Sequence, residues 1–191
     1  MSVAELSRQD DGGQCTTALV TSLRAKSPEA ARLLDERYRA ALVRFCWGYV
    51  GSVEEAEDAV QEIFLNVVGA EVVPDSFRPW LYKVARNHCL NQLRDRGGRK
   101  GDRTLADASQ VYTALTGHLT RLARDEERLR LVELVQALAE EHREVLRLRY
   151  VEDLSRSEIA EVLELPESVV KSRLFEGMRK LREHASGLLD T

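Results

Sequence analysis

Between Leu131 and Leu181 the sequence marks two consecutive helices, the turn between them and the side each buries, which restricts the fold more than any other stretch. Ser155-Arg156-Ser157-Glu158 is a capping box: the Ser hydroxyl accepts from an orphan amide, and the Glu three residues on returns the bond. Ile159, Ala160, Val162 and Leu163 give the helix that follows a buried side. Glu164-Leu165 makes the turn, and Pro166 stands where a first-turn proline has no amide hydrogen to lose. At ~100° per residue, the next helix gathers Val170, Leu174, Gly177, Met178 and Leu181 on one side. Lys171, Ser172, Phe175, Glu176, Arg179 and Arg182 fall on the other. That makeup suits either an ordinary amphipathic surface helix or one that enters the major groove of DNA.

Charge is unevenly spread, and the net −4 conceals it. Residues 78–103 hold eight basic and two acidic residues, while the segments on either side are acidic. A compact basic block is what binding a phosphate backbone requires, because each neutralised phosphate releases condensed counterions. Acidic surroundings suppress loose, non-specific association. A content of 43% hydrophobic and 31% charged residues fits a soluble protein with a real core. No apolar run approaches the ~20 residues of a membrane span, and no basic segment followed by an apolar stretch opens the chain. Membrane insertion is not expected, and a cytoplasmic location is. Cys15, Cys46 and Cys89 are odd in number and widely spaced, which predicts reduced thiols rather than a disulfide framework or zinc ribbon.

The predicted fold is all-α, as two small helical domains joined by a flexible linker. Residues 1–17 read as a disordered N-terminus, 18–97 as the first domain and 98–121 as the linker. Residues 122–185 read as the second domain and 186–191 as a tail. In the first domain Ala31, Leu34, Tyr38, Ala41, Leu42 and Phe45 recur at helical spacing. Ser52-Val53-Glu54-Glu55 is a second capping box and opens an acidic helix. Ala56, Ala59, Val60, Ile63, Phe64 and Val67 cover its inner side, with Glu54, Glu55, Asp58, Gln61, Glu62 and Leu65 outside. Acids around an exposed leucine form either a solvated face or a dock for a basic partner.

The next helix reverses the sign. Ser76 can cap it, and Leu81, Ala85, Cys89 and Leu93 point inward. Trp80, Lys83, Arg86, Asn87, Asn91 and Arg94 make a polar side of cations, amides and an aromatic, with Trp80 equally suited to the core. Such a set can hold phosphates and stack on or hydrogen-bond exposed bases.

Several segments together resemble one family. Asp58-Ala59-Val60-Gln61-Glu62-Ile63-Phe64-Leu65 is similar to the signature of region two in bacterial RNA polymerase sigma factors. Phe77-Arg78-Pro79-Trp80-Leu81-Tyr82-Lys83-Val84-Ala85-Arg86-Asn87 resembles the promoter-opening part of that region. Arg143-Glu144-Val145-Leu146-Arg147-Leu148-Arg149-Tyr150, Ile159-Ala160-Glu161-Val162-Leu163 and Val170-Lys171-Ser172-Arg173-Leu174 resemble region four. The order is the family's, and the two-domain plan is similar to its extracytoplasmic-function group within the sigma-70 family.

The resemblance implies a role for each surface. Asp58, Gln61, Glu62 and Leu65 would bind the coiled-coil clamp of the polymerase β′ subunit. Trp80, Lys83, Arg86, Asn87, Asn91 and Arg94 would engage the minus-ten element and its melted strand. Lys171, Ser172, Arg173, Phe175, Glu176 and Arg179 would read the minus-thirty-five element. The second domain would also meet the β flap, the linker would run toward the RNA exit path, and an anti-sigma factor is a further partner the family allows. The factor would make or break no bond, and no cofactor or metal is expected.

The chain departs from many relatives at Ser168-Val169, which replaces a Gly-Thr pair, and at Glu176, often basic. A Glu at 176 can accept a hydrogen bond from a cytosine amino group. The chain ends soon after this helix, so no C-terminal sensor domain is expected. The rival reading is a stand-alone helix-turn-helix regulator, which leaves the acidic helix and the basic block without a role. An enzyme would have to rest on Cys46 or His88-Cys89; His88 lies toward the buried side of its helix without metal-ligand spacing, as a core histidine would. A helical scaffold would not need this charge segregation.

Overall fold

The structure is a computed structural model that describes residues 16–95, 135 and 137–189. The expected linker and most of the expected N-terminal segment lie outside the described residues. The helices are α1 (residues 16–24), α2 (Glu29–Val50), α3 (Val53–Gly69), α4 (Phe77–Asp95), α5 (Glu140–Leu146), α6 (Arg156–Leu163) and α7 (Glu167–Leu189). A π-helical turn, Arg147–Val151, continues α5. Among the described residues there is no strand.

The first module is α1–α4. Leu34, Tyr38, Leu42, Phe45 and Tyr49 of α2 face Ala56, Ala59, Val60, Ile63 and Val67 of α3 and Phe77, Leu81, Ala85 and Cys89 of α4, all buried. The expected inner face of α2 is off by one position at its start: Ala31 is exposed and Ala30 is buried. Four residues before Leu34, Ala30 continues the i, i+4 row, and Ala31 does not. Leu93, expected inside α4, is half-buried at the frayed end of the stripe. Thr16 and Thr17, assigned by sequence to the disordered N-terminus, are helical. They open α1, whose Leu19, Val20 and Leu23 join the core.

Turn chemistry fixes the order of these helices. Gly51 ends α2 at φ 79°, donating its amide to the Trp47 carbonyl at 2.8 Å, in a left-handed conformation that glycine adopts without steric cost. Ser52 Oγ then accepts the Glu55 amide to start α3. Arg24 donates to the Val73 carbonyl at 2.7 Å and to Asp75 at 2.8 Å, tying α1 to the α3–α4 connection.

The second module is α5, the π turn, α6 and α7. The capping box on α6 forms in full: Glu158 N–H donates to Ser155 Oγ at 3.2 Å and Ser155 N–H to Glu158 Oε2 at 2.7 Å. Glu164 ends α6 in the left-handed region at φ 56°, and the Pro166 carbonyl accepts the first amides of α7. A Cβ on Gly177 would sit 3.2 Å from Leu146 Cδ1 and 3.4 Å from His142 Cβ, so its bare backbone is what lets α7 approach α5. The two modules pack against each other through α4 and α6. Leu148, Leu154, Ile159, Val162 and Val170 join the first module's apolar cluster.

Candidate functional site

The acidic face of α3 is open. Its inner residues are buried as the period requires, and Asp58, Gln61, Glu62 and Leu65 are exposed, Leu65 by 74%. Helix α3 buries six of its residues and leaves Leu65 outside the core, among the exposed acids. His88 of α4 lies behind this face, its Nε2 3.7 Å from Glu62 and its side chain 15% exposed, as a core histidine would be.

The polar face of α4 divides in two. Asn87, Asn91 and Arg94 are exposed. Trp80 is half-buried, packed on the core with its ring 5.8 Å from that of Phe77. Lys83 and Arg86 point at the second module. Lys83 Nζ donates to Glu164 Oε1 at 2.6 Å. Arg86 donates to both carboxylate oxygens of Glu144, at 2.8 and 3.2 Å, and the Tyr49 hydroxyl donates to the same group.

Sequence reasoning missed the partners that extend this contact. Glu152 is buried, and it accepts from Arg44 at 2.9 and 3.3 Å and from the Tyr82 hydroxyl at 2.8 Å. Arg78 donates to the Glu152 and Asp153 carbonyls, which Asp153 presents from a left-handed φ of 51°. Arg147 is 1% exposed, with its guanidinium 4.0 Å from the Tyr49 ring centroid and 4.8 Å from that of Phe45. These groups come from α2, α4 and the α5–α6 segment, so no local pattern could have joined them. Burial would raise the Glu144 carboxyl, but the hydrogen bond and charge of Arg86 outweigh it and hold the group below the usual range. Burial pushes the Tyr49 and Tyr82 hydroxyls well up, and the neighbouring carboxylates add to it.

On α7, Lys171, Ser172, Phe175, Arg179 and Arg182 are exposed and Val170, Gly177 and Leu181 are buried, as the sequence predicts. Phe175 is 66% exposed. Two assigned readers are turned elsewhere. Arg173 is partly buried and pairs with Glu141 of α5 at 2.7 Å. Glu176 accepts from Arg179 at 2.7 and 3.2 Å, and Arg179 also donates to Glu183 at 2.6 Å. Cys46 and Cys89, the thiols expected to be free, are free and buried; Cys15 lies outside the described residues.

Comparison with known proteins gives these surfaces a family. The family model for Sigma-70 region 2 matches residues 34–99, and that for Sigma-70, region 4 matches residues 128–181. The ECF RNA polymerase sigma factor SigL of Mycobacterium tuberculosis is 32% identical over 164 residues, 83% of this chain and 91% of that one. The ECF RNA polymerase sigma factor SigW of Bacillus subtilis is 28% identical over 79% of this chain and 86% of its own. The solved structure of CnrH in complex with the cytosolic domain of CnrY shares the fold at a TM-score of 0.61, with 24% identity, covering 91% of this chain and 96% of that one. Matches in both modules, in order, disfavour a stand-alone helix-turn-helix regulator. The chain belongs to the extracytoplasmic-function group of the sigma-70 family, and is an alternative sigma factor, a regulatory subunit that directs RNA polymerase to promoters.

Proposed function

We propose that each surface described above serves one step of promoter recognition and opening. The face of Asp58, Gln61, Glu62 and Leu65 docks the β′ coiled-coil clamp, and the second module meets the β flap. Trp80, Lys83, Arg86, Asn87, Asn91 and Arg94 bind the minus-ten element and hold its melted strand. Lys171, Ser172 and Phe175 read the minus-thirty-five element, with Arg179 at its edge; Arg173 and Glu176 act by placing their neighbours. The linker, residues 98–121, runs toward the RNA exit path. Two weak DNA readers held on polymerase at fixed spacing combine as an effective-concentration effect. The factor works in the cytoplasm, where polymerase meets DNA. An anti-sigma factor is a further partner, a reading supported by CnrH having been solved with the cytosolic domain of CnrY.

The observation that carries this reading is the segregation of exposed acids on α3 from cations on α4 within one small module. Reversing Asp58 and Glu62 to Lys is expected to weaken binding to core polymerase several-fold or more while helicity is unchanged. Rim charges mainly steer association, whereas desolvated pairs cost ~2–5 kcal/mol when one partner goes. Titration of labelled core polymerase with the two proteins checks it, and equal affinities would remove the clamp assignment.

A further inference from the structure

One buried polar atom behind the acidic face of α3 is not explained by the packing around it. His88 of α4 has a side chain 15% exposed, and among the described residues its Nε2 has no hydrogen-bond partner. Buried polar atoms are nearly always satisfied, so an orphan of this kind calls for a role. A leucine or phenylalanine would fill the space without leaving a polar atom dry. Glu62 of α3 approaches this nitrogen, with Oε2 at 3.7 Å and a side chain 62% exposed. At that distance no hydrogen bond is made, and a closure of about 0.8 Å would make one. An imidazole offers an N–H at Nε2 when protonated and in one of its neutral tautomers.

We propose that His88 is a positioning residue of the polymerase dock: its Nε2–H closes onto the Glu62 carboxylate when a basic surface of the polymerase covers α3. The proposal rests on the reading of Asp58, Gln61, Glu62 and Leu65 as that dock, and adds to it a residue of the neighbouring helix. In the free chain water solvates Glu62, and a bond to His88 gains little over the bond to water that it replaces. A docked partner removes that water, and a carboxylate taken out of water needs fixed donors. The partner's cation supplies one from outside. His88 supplies another from inside, and because Nε2 is already dry in the free chain its desolvation does not count against docking. The bond therefore belongs to the bound state, where a lower local dielectric strengthens it. Held at Oε2 from behind, the carboxylate keeps Oε1 for the partner.

The test titrates labelled core polymerase with the full chain as wild type, Glu62→Ala, His88→Phe and the double variant. His88→Phe keeps a ring of similar shape and removes the donor. It is expected to weaken docking about tenfold, the size of one hydrogen bond to a charged group. In the Glu62→Ala background the same change is expected to cost less than about twofold, because the two losses share one bond. His88→Gln, whose amide nitrogen reaches where Nε2 stands, is expected to keep affinity within about twofold of wild type. Thermal unfolding of the free chain separates positioning from packing: removing an orphan donor leaves stability unchanged or raises it. Wild-type docking by His88→Phe, losses that multiply in the double variant, a Gln variant as weak as Phe, or a stability loss that matches the affinity loss would each overturn the proposal. His88→Leu takes the place of His88→Phe where the ring variant does not fold. Unchanged docking by Glu62→Ala would instead remove Glu62 from the dock, which marks failure of the functional reading and takes the role of His88 with it.

Discussion

Glu176 illustrates how a side chain's neighbours decide its role. From sequence it stands at the edge of the DNA-facing side of α7 and can be read as a base contact. In the structure one carboxylate oxygen, Oε2, accepts from both Nε and Nη2 of Arg179 and keeps that cation along the helix. The bond to Arg179 keeps the Glu176 carboxyl below its usual range. Glu176→Gln is expected to release Arg179, raise affinity for duplex DNA across sequences and steepen the salt dependence by about one phosphate contact. Titration at two salt concentrations and selection of minus-thirty-five sequences check it; a change confined to one base position would show that the carboxylate reads a base. Arg147 makes the complementary point. Nothing near it in the sequence marks it for burial, because the rings that receive it, Phe45 and Tyr49, lie in another module. The exposure of Lys171 and Ser172 is legible from helical angle alone, whereas the places of Arg147, Glu144 and Glu152 depend on a distant surface.

At the scale of elements, periodicity and caps carried most of the information. The inner faces of α3 and α7 follow directly from the 3.6-residue repeat, and the box at Ser155 forms in both directions. Ser155→Ala is expected to cost the second module about 1 kcal/mol in chemical denaturation, with Ser155→Gly milder. An unchanged midpoint would mean that α6 is held by packing on α4 rather than by its cap. Where the pattern was weak the reading failed. The segment opening α1 is rich in Thr and Ser, which compete locally with a helix, so only packing of Leu19, Val20 and Leu23 on the core makes it one. At the start of α2 two adjacent alanines offer equal hydrophobicity, and only the position of Leu34 distinguishes them.

For the whole molecule, the sequence supplies two modules and their signs of charge but not how they meet. The contact between them brings together residues far apart in the chain, and its pH dependence has a definite direction. Glu144 is held below its usual range in that contact, chiefly by Arg86 against the opposing effect of burial. Its contribution to the contact is therefore complete above the ordinary carboxylate range and is lost as pH falls through the lowered value. Scattering between neutral and acid pH is expected to show the chain expanding on acidification, and Glu144→Gln is expected to flatten that response. The central claim, that the two modules act together in placing polymerase on a promoter, is tested most directly by run-off transcription. Core polymerase and a library randomised around the start site are incubated with and without the protein. Transcripts are expected that require the protein and come from templates sharing two elements at fixed spacing. Asp58→Lys/Glu62→Lys should reduce them several-fold or more at limiting protein, and changes at Lys171 or Ser172 should alter only the upstream element. Transcripts that do not depend on the protein, or that share a single element unaffected by changes in the first module, would contradict it.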